Sequence, residues 1–281
     1  MMISSKEIPF YKACSALEMS RSSYYARNNN KSPAIADIEV KNIIENIALE
    51  FSMYGYRRIT KELQRRGKTV NHKKVLRIMR EEKLLCAKKK FRPITTNSSH
   101  NYPIYPNLAN GLEVTGLNQL WVSDITYIQL MDEYVYLAVI MDIFSRKCIG
   151  WDLSRNIDTR LKLNAINMAI SDRKSIGFDN LVHHSDQGVQ YASKDYVNRL
   201  KENEIRISMS RKGNVYDNAF AESFIKTLKA EEVNLNEYST MEEAYDNIKE
   251  FIEKVYNNKR LHSSIGYVPP EEFEQKILKL A

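Results

Sequence analysis

Three carboxylates stand where an apolar framework gives them no obvious reason to be. Asp124 interrupts the run LWVSDITYIQL, Asp186 follows directly on NLVHHS, and Glu222 lies in DNAFAESFIKTLKAE. With period-two alternation, Val122, Asp124 and Thr126 share one face of a strand, and Trp121, Ser123, Ile125 and Tyr127 the other. An acid in the middle of so apolar a strand is costly unless it is paired or binds a cation. Asp186 falls just past the end of its own strand, and functional groups of open α/β sheets cluster at carboxyl strand ends. If that strand runs parallel beside the first, both acids reach one edge. Glu222, Lys226 and Lys229 are spaced i, i+4, i+7 and share a helix face, while Phe220, Phe224 and Leu228 form another face suited to packing on the sheet.

Three carboxylates at one point repel. A hard divalent cation resolves this, and oxygen ligands suit Mg²⁺ or Mn²⁺. Two such ions about 3.5–4 Å apart serve phosphoryl transfer by activating the attacking oxygen and stabilising the leaving one. Taken singly, each acid also has a plain structural role open to it. Asp124 could be a satisfied core acid, Asp186 a helix cap near Ser193, and Glu222 a surface residue.

The elements that must position these acids are legible from periodicity. LWVSDITYIQL and YVYLAVIMDIF are β-branched and aromatic runs joined by MDE, which reads as a hairpin. KCIGWDLS, NLVHHS and IRISMS read as three further strands, with helices RLKLNAINMAISDRK and KDYVNRLKENE between them. A long helix is expected from about Ala219 to Val233, and a last one from about Met241 to Tyr256. Three antiparallel-looking strands followed by alternating helix and strand make a mixed sheet covered by helices, an α/β domain.

The front of the chain is different. Residues 7–27 read as two short helices, the second capped by Ser20, with Glu18 where a helix-turn-helix turn favours glycine. After NNNKSPA, helical spacing returns at Val40, Ile43, Ile44, Ile47 and Phe51; a second helix ends at Gly67, and Asn71 can cap a third over His72 to Leu84. Lys73, Arg77 and Arg80 share one face of that third helix, and Lys88, Lys89, Lys90 and Arg92 extend the positive stripe. Either a DNA-tracking helix or a solvated bundle face fits this pattern. Residues 1–110 hold 21 Lys+Arg against 9 Asp+Glu, a net +12, and residues 111–281 hold 21 against 26, a net −5. Such asymmetry points to a basic nucleic-acid-binding arm on a mildly acidic second domain. The expected domains are a helical segment at 1–30, a helix-turn-helix-like unit at 35–87, a linker at 88–115, and an α/β domain with a helical tail at 116–281. Cys14, Cys86 and Cys148 are far apart and form no zinc or disulfide pattern, no apolar run spans a bilayer, and a cytoplasmic setting is expected.

WVSDITYI, YLAVIMDIFSRKCIGW, HSDQGVQYAS and GNVYDNAFAESFIKTLKAE, with 35 residues between Asp186 and Glu222, resemble the DDE transposase and retroviral-integrase superfamily. SRSSYYAR, YGYRRITKELQRRGKTVNHKKVLRIMRE and the tail YNNKRLHSSIGYVPPEEF narrow the likeness to OrfB-type transposases of the IS-three group of bacterial insertion sequences. The resemblance implies a ribonuclease-H-like catalytic domain from about residue 115, with a five-stranded mixed sheet. It implies Asp124, Asp186 and Glu222 as catalytic metal ligands, two Mg²⁺ ions with DNA bound, and no covalent enzyme–DNA intermediate. Lys229 matches the basic residue that contacts terminal DNA. The implied partners are terminal inverted repeats and target DNA, a second copy of the chain on that DNA, and an upstream helix-turn-helix protein joined by frameshifting. The zinc module of the retroviral relatives does not carry over, because the chain lacks clustered cysteines. Two rival readings remain at this stage, a DNA-binding regulator without catalysis and a general nuclease of the same fold.

Overall fold

The computed structural model describes residues 35–86, 105–186, 193–210 and 219–279. The readings made on residues 7–27, on Lys88 to Arg92, on the middle of HSDQGVQYAS and on the RKGNVYDN loop fall outside the described residues.

Three helices come first: α1 (Ile35–Glu50), α2 (Tyr56–Arg65) and α3 (His72–Glu81). Gly67 stops the second in a left-handed conformation, φ +78°, which glycine adopts without strain. The Asn71 side chain accepts the Lys73 backbone N–H at 2.8 Å, so the expected cap on α3 is present. Ile44, Ile47, Ile59, Leu63, Val75 and Met79 are fully buried among one another. This small core is completed from the far end of the chain: Leu261 packs into it and donates its backbone N–H to the Tyr54 hydroxyl at 2.7 Å.

The second unit is a five-stranded sheet in the order β3-β2-β1-β4-β5. Its strands are β1 (Leu120–Gln129), β2 (Tyr134–Asp142), β3 (Cys148–Ser154), β4 (Val182–Ser185) and β5 (Arg206–Met209). β1, β2 and β3 are antiparallel neighbours; β4 runs parallel to β1, and β5 parallel to β4. Leu108 and Val114, in the segment leading to the sheet, pack against its core, and the Leu108 N–H donates to Ser208 Oγ at 2.8 Å.

Both faces of the sheet are covered, which is why its strands are apolar in runs rather than in strict alternation. On one face lie α4 (Thr159–Arg173) and α5 (Lys194–Glu202), packed against Trp121, Ala138 and Ile140. Gly150 lets α4 approach: a Cβ there would run into the Ala165 carbonyl oxygen and the Ala169 side chain. On the other face lie α6 (Ala219–Glu231) and α7 (Met241–Glu250), against Val122, Leu137 and Val139. In α6 the buried positions are Ala221, Phe224, Ile225 and Leu228. Each large side chain buried there contributes about 1.5–3 kcal/mol.

Two expectations change. Phe220 was expected on the packing face of α6; it is 41% exposed, and the Arg146 guanidinium covers its ring at 4.1 Å. The helix from Met241 does not run to Tyr256 as an α-helix. It widens to a π-helical turn over Phe251–Tyr256, which ends with the Asn257 N–H on the Ile252 carbonyl. The side chain of Asn257 bonds Cys148 at the start of β3, accepting its N–H at 3.0 Å and donating to its carbonyl at 2.9 Å. A plain α-helical register would turn that amide elsewhere. A further helix, α8 (Pro270–Leu278), closes the described chain.

Candidate active site

The register of β1 and β4 pairs Val122 with His184. Two residues further along each parallel strand come Asp124 and Asp186, so the pairing brings both acids level at the strand ends. Asp124 points to the face that carries Val122 and α6. Glu222 lies in the first turn of α6, where the helix N-terminus favours an acid. Its position next to buried Ala221 is set by Phe224, Ile225 and Leu228, which fix the rotation of α6 on the sheet.

The electrostatics show how near the three acids are. Asp124 Oδ1 accepts the N–H of its neighbour Ile125 at 2.9 Å. Burial is the first cause that pushes the Asp124 carboxyl up, to about 7; the negative charges of Asp186 and then Glu222 add to it, while the Ile125 N–H and Lys229 pull the other way. The side chains stand within electrostatic range but not in one coordination sphere: among the described residues, no three His, Cys, Asp or Glu side chains are gathered closely enough to hold an ion together.

The lysines on α6 divide. Lys226 is exposed and sits 3.4 Å from Glu222 Oε2, a contact worth little in water. Lys229 is partly buried, its Nζ 4.2 Å from the centre of the Tyr127 ring; burial lowers its pKa, and Asp124 opposes that shift. Lys229 therefore joins the carboxylates, and Lys226 borders them.

Lys162 on α4 was not singled out in the sequence. It is 1% exposed, and its ammonium is lowered to about 8 by burial, while Asp158 and Asp186 raise it. The signal was present: Leu161, Lys162, Ala165, Ile166, Ala169, Ile170 and Arg173 are the buried face of α4, and two of these seven positions are cationic. A lysine on an apolar helical face needs a negative neighbour.

The basic face of α3 lies elsewhere. Lys73, Arg77 and Arg80 border a shallow depression with Leu76 and Glu81, and Arg77 is already bonded to Glu81 Oε1 at 3.0 Å. No hydrogen bond or ion pair among the described residues links Lys73, Arg77 or Arg80 to the carboxylates. Val75, Ile78 and Met79, on the opposite side of α3, are buried as the periodicity requires.

Comparison with known proteins adds a family to this geometry. Integrase core domain models match residues 115–215 and 203–270, and an HTH-like domain model matches residues 35–92. The chain is 36% identical over 251 residues to the transposase for insertion sequence element IS904 of Lactococcus lactis, covering 88% of this chain and 98% of that one. It is 34% identical over 272 residues to transposase InsF for insertion sequence IS3A of Escherichia coli, covering 94% and 93%. Among solved structures, the catalytic core domain of HTLV-2 integrase in complex with magnesium aligns over 56% of this chain and 95% of that one, at 16% identity and a TM-score of 0.42.

Proposed function

This chain belongs to the IS3-family transposases of bacterial insertion sequences, and from that premise we propose that it cuts and joins DNA strands at insertion-sequence ends with Asp124, Asp186 and Glu222 as its catalytic carboxylates. The observation that carries the assignment is the placement of Asp124: a strand acid level with Asp186 across the parallel β1–β4 pair, close enough to Glu222 of α6 that both charges add to burial in pushing its carboxyl up. That is a standing negative potential, met by Lys229 beside Asp124 and by the buried Lys162 on the side of Asp186.

The donor set fits a divalent cation of the Mg²⁺ or Mn²⁺ kind, being carboxylate oxygen throughout with no thiolate or imidazole among the three. Asp124, Asp186 and Glu222 would hold it, with two ions expected once DNA is bound. When bound, the metal supplies Lewis acidity at the phosphoryl group and an activated attacking oxygen. The residues themselves do the rest. Asp124 gives up its proton to become a ligand. Lys229, kept partly buried beside Tyr127, meets a phosphate of the terminal DNA as a point charge. Lys226 lies on the exposed side of Glu222, where it extends the positive edge. Lys73, Arg77 and Arg80 hold backbone phosphates away from the chemistry, giving affinity without sequence information.

The wider reading follows the same division. The unit at 35–87 engages the terminal inverted repeats, the domain from 116 carries the chemistry, and copies of the chain assemble on DNA that includes the target. Joining by frameshift to an upstream helix-turn-helix protein would complete end recognition. No helix among the described residues is long and apolar enough to cross a membrane.

The test uses a labelled element end with Mg²⁺. Wild type nicks and joins it. Asp186→Ala keeps DNA binding and loses both steps. Joining by Asp186→Ala removes that residue from the site; simple degradation of any duplex makes the protein a nuclease, and binding without cleavage by wild type makes it a regulator.

A further inference from the structure

A second cluster of charge lies on the other side of α6 from Glu222. A cavity of about 150 Å³ opens between α2, the β2–β3 turn, α6 and the tail that follows the π-helical turn. At about 30 Å³ per water it holds some five waters, room enough for a tetrahedral oxyanion. Three guanidinium groups converge on it, Arg58 from α2, Arg146 from the β2–β3 turn and Arg260 from the tail, together with His262.

The charges are unevenly answered. Arg260 is held by Glu231 through two bonds of 2.8 and 2.7 Å, so it forms a neutralised wall. Asp142 also lines the cavity, but its oxygens are taken by the N–H groups of Asn118, Phe144 and Ser145. Arg58 and Arg146 form no ion pair among the described residues. Arg58 lies 5.6 Å from the Tyr54 ring and Arg146 4.1 Å from the Phe220 ring, contacts that leave their N–H groups available. Arg146 Nε and His262 Nε2 are buried without a hydrogen-bond partner, and His262 is only 9% exposed. Burial, then the three arginines, hold the His262 imidazole neutral, its pKa down to about 2. A buried donor left unmade carries an uncompensated desolvation cost, larger where the group is charged.

The Arg146 backbone is in the left-handed region, φ +67°, at the tight β2–β3 turn that carries its side chain to the cavity.

We propose that this cavity binds a phosphate group, with Arg58, Arg146 and His262 as its donors and the exposed hydroxyl of Ser223 at its lining. The occupant would tie the three-helix unit to the catalytic domain, because Arg58 belongs to the first and Arg146 to the second. Such a group comes either from a DNA backbone, a source that rests on the DNA-processing function proposed above, or from free phosphate.

Thermal unfolding of the full chain in metal-free buffer tests the site, comparing inorganic phosphate with sodium chloride at equal ionic strength. At ten times its dissociation constant, phosphate raises the melting temperature by about 2–4 °C. The rise disappears in Arg146→Gln and in Ser223→Asp, the latter an exposed position where a carboxylate repels the ligand without disturbing the core. It persists in Asp124→Asn, which separates this site from the carboxylates. Absence of the rise in wild type, or an equal rise in Arg146→Gln, overturns the proposal. Random-sequence duplex distinguishes the sources. If it cancels the phosphate effect and binds about tenfold more weakly to Arg146→Gln, the occupant is a backbone phosphate. Unchanged duplex binding by that variant, with the phosphate effect intact in wild type, assigns the cavity to free phosphate. Loss of joining is not among these readouts, so failure of the catalytic assignment leaves the result standing.

Discussion

Asp124 and Asp142 are both strand acids in neighbouring strands of one sheet, both are raised by burial, and they are provided for in opposite ways. Asp142 is 1% exposed and accepts three backbone N–H groups, from Asn118 at 2.9 Å, Phe144 at 2.9 Å and Ser145 at 3.1 Å. Arg173 adds a positive charge nearby, itself paired with Glu274. Lys147 bridges Glu271 at 2.8 Å and Glu274 at 3.4 Å, so the whole neighbourhood is closed and balanced. Asp124 accepts one N–H, from the residue next to it, and faces two further acids. A satisfied buried carboxylate fastens a turn. A carboxylate left among its own kind stores unfavourable energy that only a cation or a proton relieves. On the proposed function, the first kind of acid is structural and the second catalytic.

The largest contrast is in activity. Asp124→Ala should bring end joining below about a thousandth of wild type, the scale on which removal of a group acting within a catalytic unit is felt. Its circular dichroism and unfolding cooperativity should stay those of a folded protein. A variant that still joins ends at more than a tenth of the wild-type rate would place Asp124 with Asp142 as a structural acid.

The reverse substitution should break the fold first. Asp142→Ala leaves three backbone N–H groups unpaired, two of them buried, and Arg173 with less compensation, which costs about 3–5 kcal/mol of unfolding free energy. The urea midpoint should fall accordingly, while whatever fraction remains folded binds divalent metal normally. A loss below about 1 kcal/mol would mean that the Asn118, Phe144 and Ser145 turn is held by something other than its carboxylate.

The sequence made one member of this comparison visible and hid the other. Asp124 broke an apolar run, Asp186 followed another, and the parallel pairing of β1 with β4 could be anticipated from the order of elements. The Asn71 cap and the buried side of α3 were legible because their partners lie within four residues. Asp142 read only as one residue of the strand run YVYLAVIMDIF, since its meaning depends on Asn118, twenty-four residues earlier, and on Arg173 and Glu274 far later. The Arg173–Glu274 pair spans 101 residues, and no spacing rule reaches that distance. The π-helical turn was hidden for the same reason: it ends at Asn257, whose side chain is bonded to Cys148, 109 residues away. Local periodicity predicted which face of α6 packs, but Phe220 lies off that face, its ring under Arg146, seventy-four residues away in sequence.

The smallest effect is also the sharpest test of the comparison, because it asks for a gain. In the folded, metal-free protein the Asp124 carboxyl stands at about 7, against an ordinary value of 3.8 in the unfolded chain. Between those values the folded state holds a proton that the unfolded state has lost. Stability contributed by that proton is complete below about pH 4 and drains away as pH rises through 7. Asp124→Asn cannot titrate, and its amide oxygen still accepts the Ile125 N–H. The variant should therefore match wild type near pH 4 and exceed it by about 1–2 kcal/mol above pH 7. Taken whole, the rise from 3.8 to about 7 would give about 4 kcal/mol, and the solvent that reaches the site screens away much of it. Millimolar Mg²⁺ or Mn²⁺ should close the gap from the wild-type side, since only wild type presents all three carboxylates to the ion. Urea unfolding at pH 4.5, 6 and 8, with and without metal, reads all of this. A gap that is constant with pH, or that widens when metal is added, would mean that Asp124 is as well provided for as Asp142.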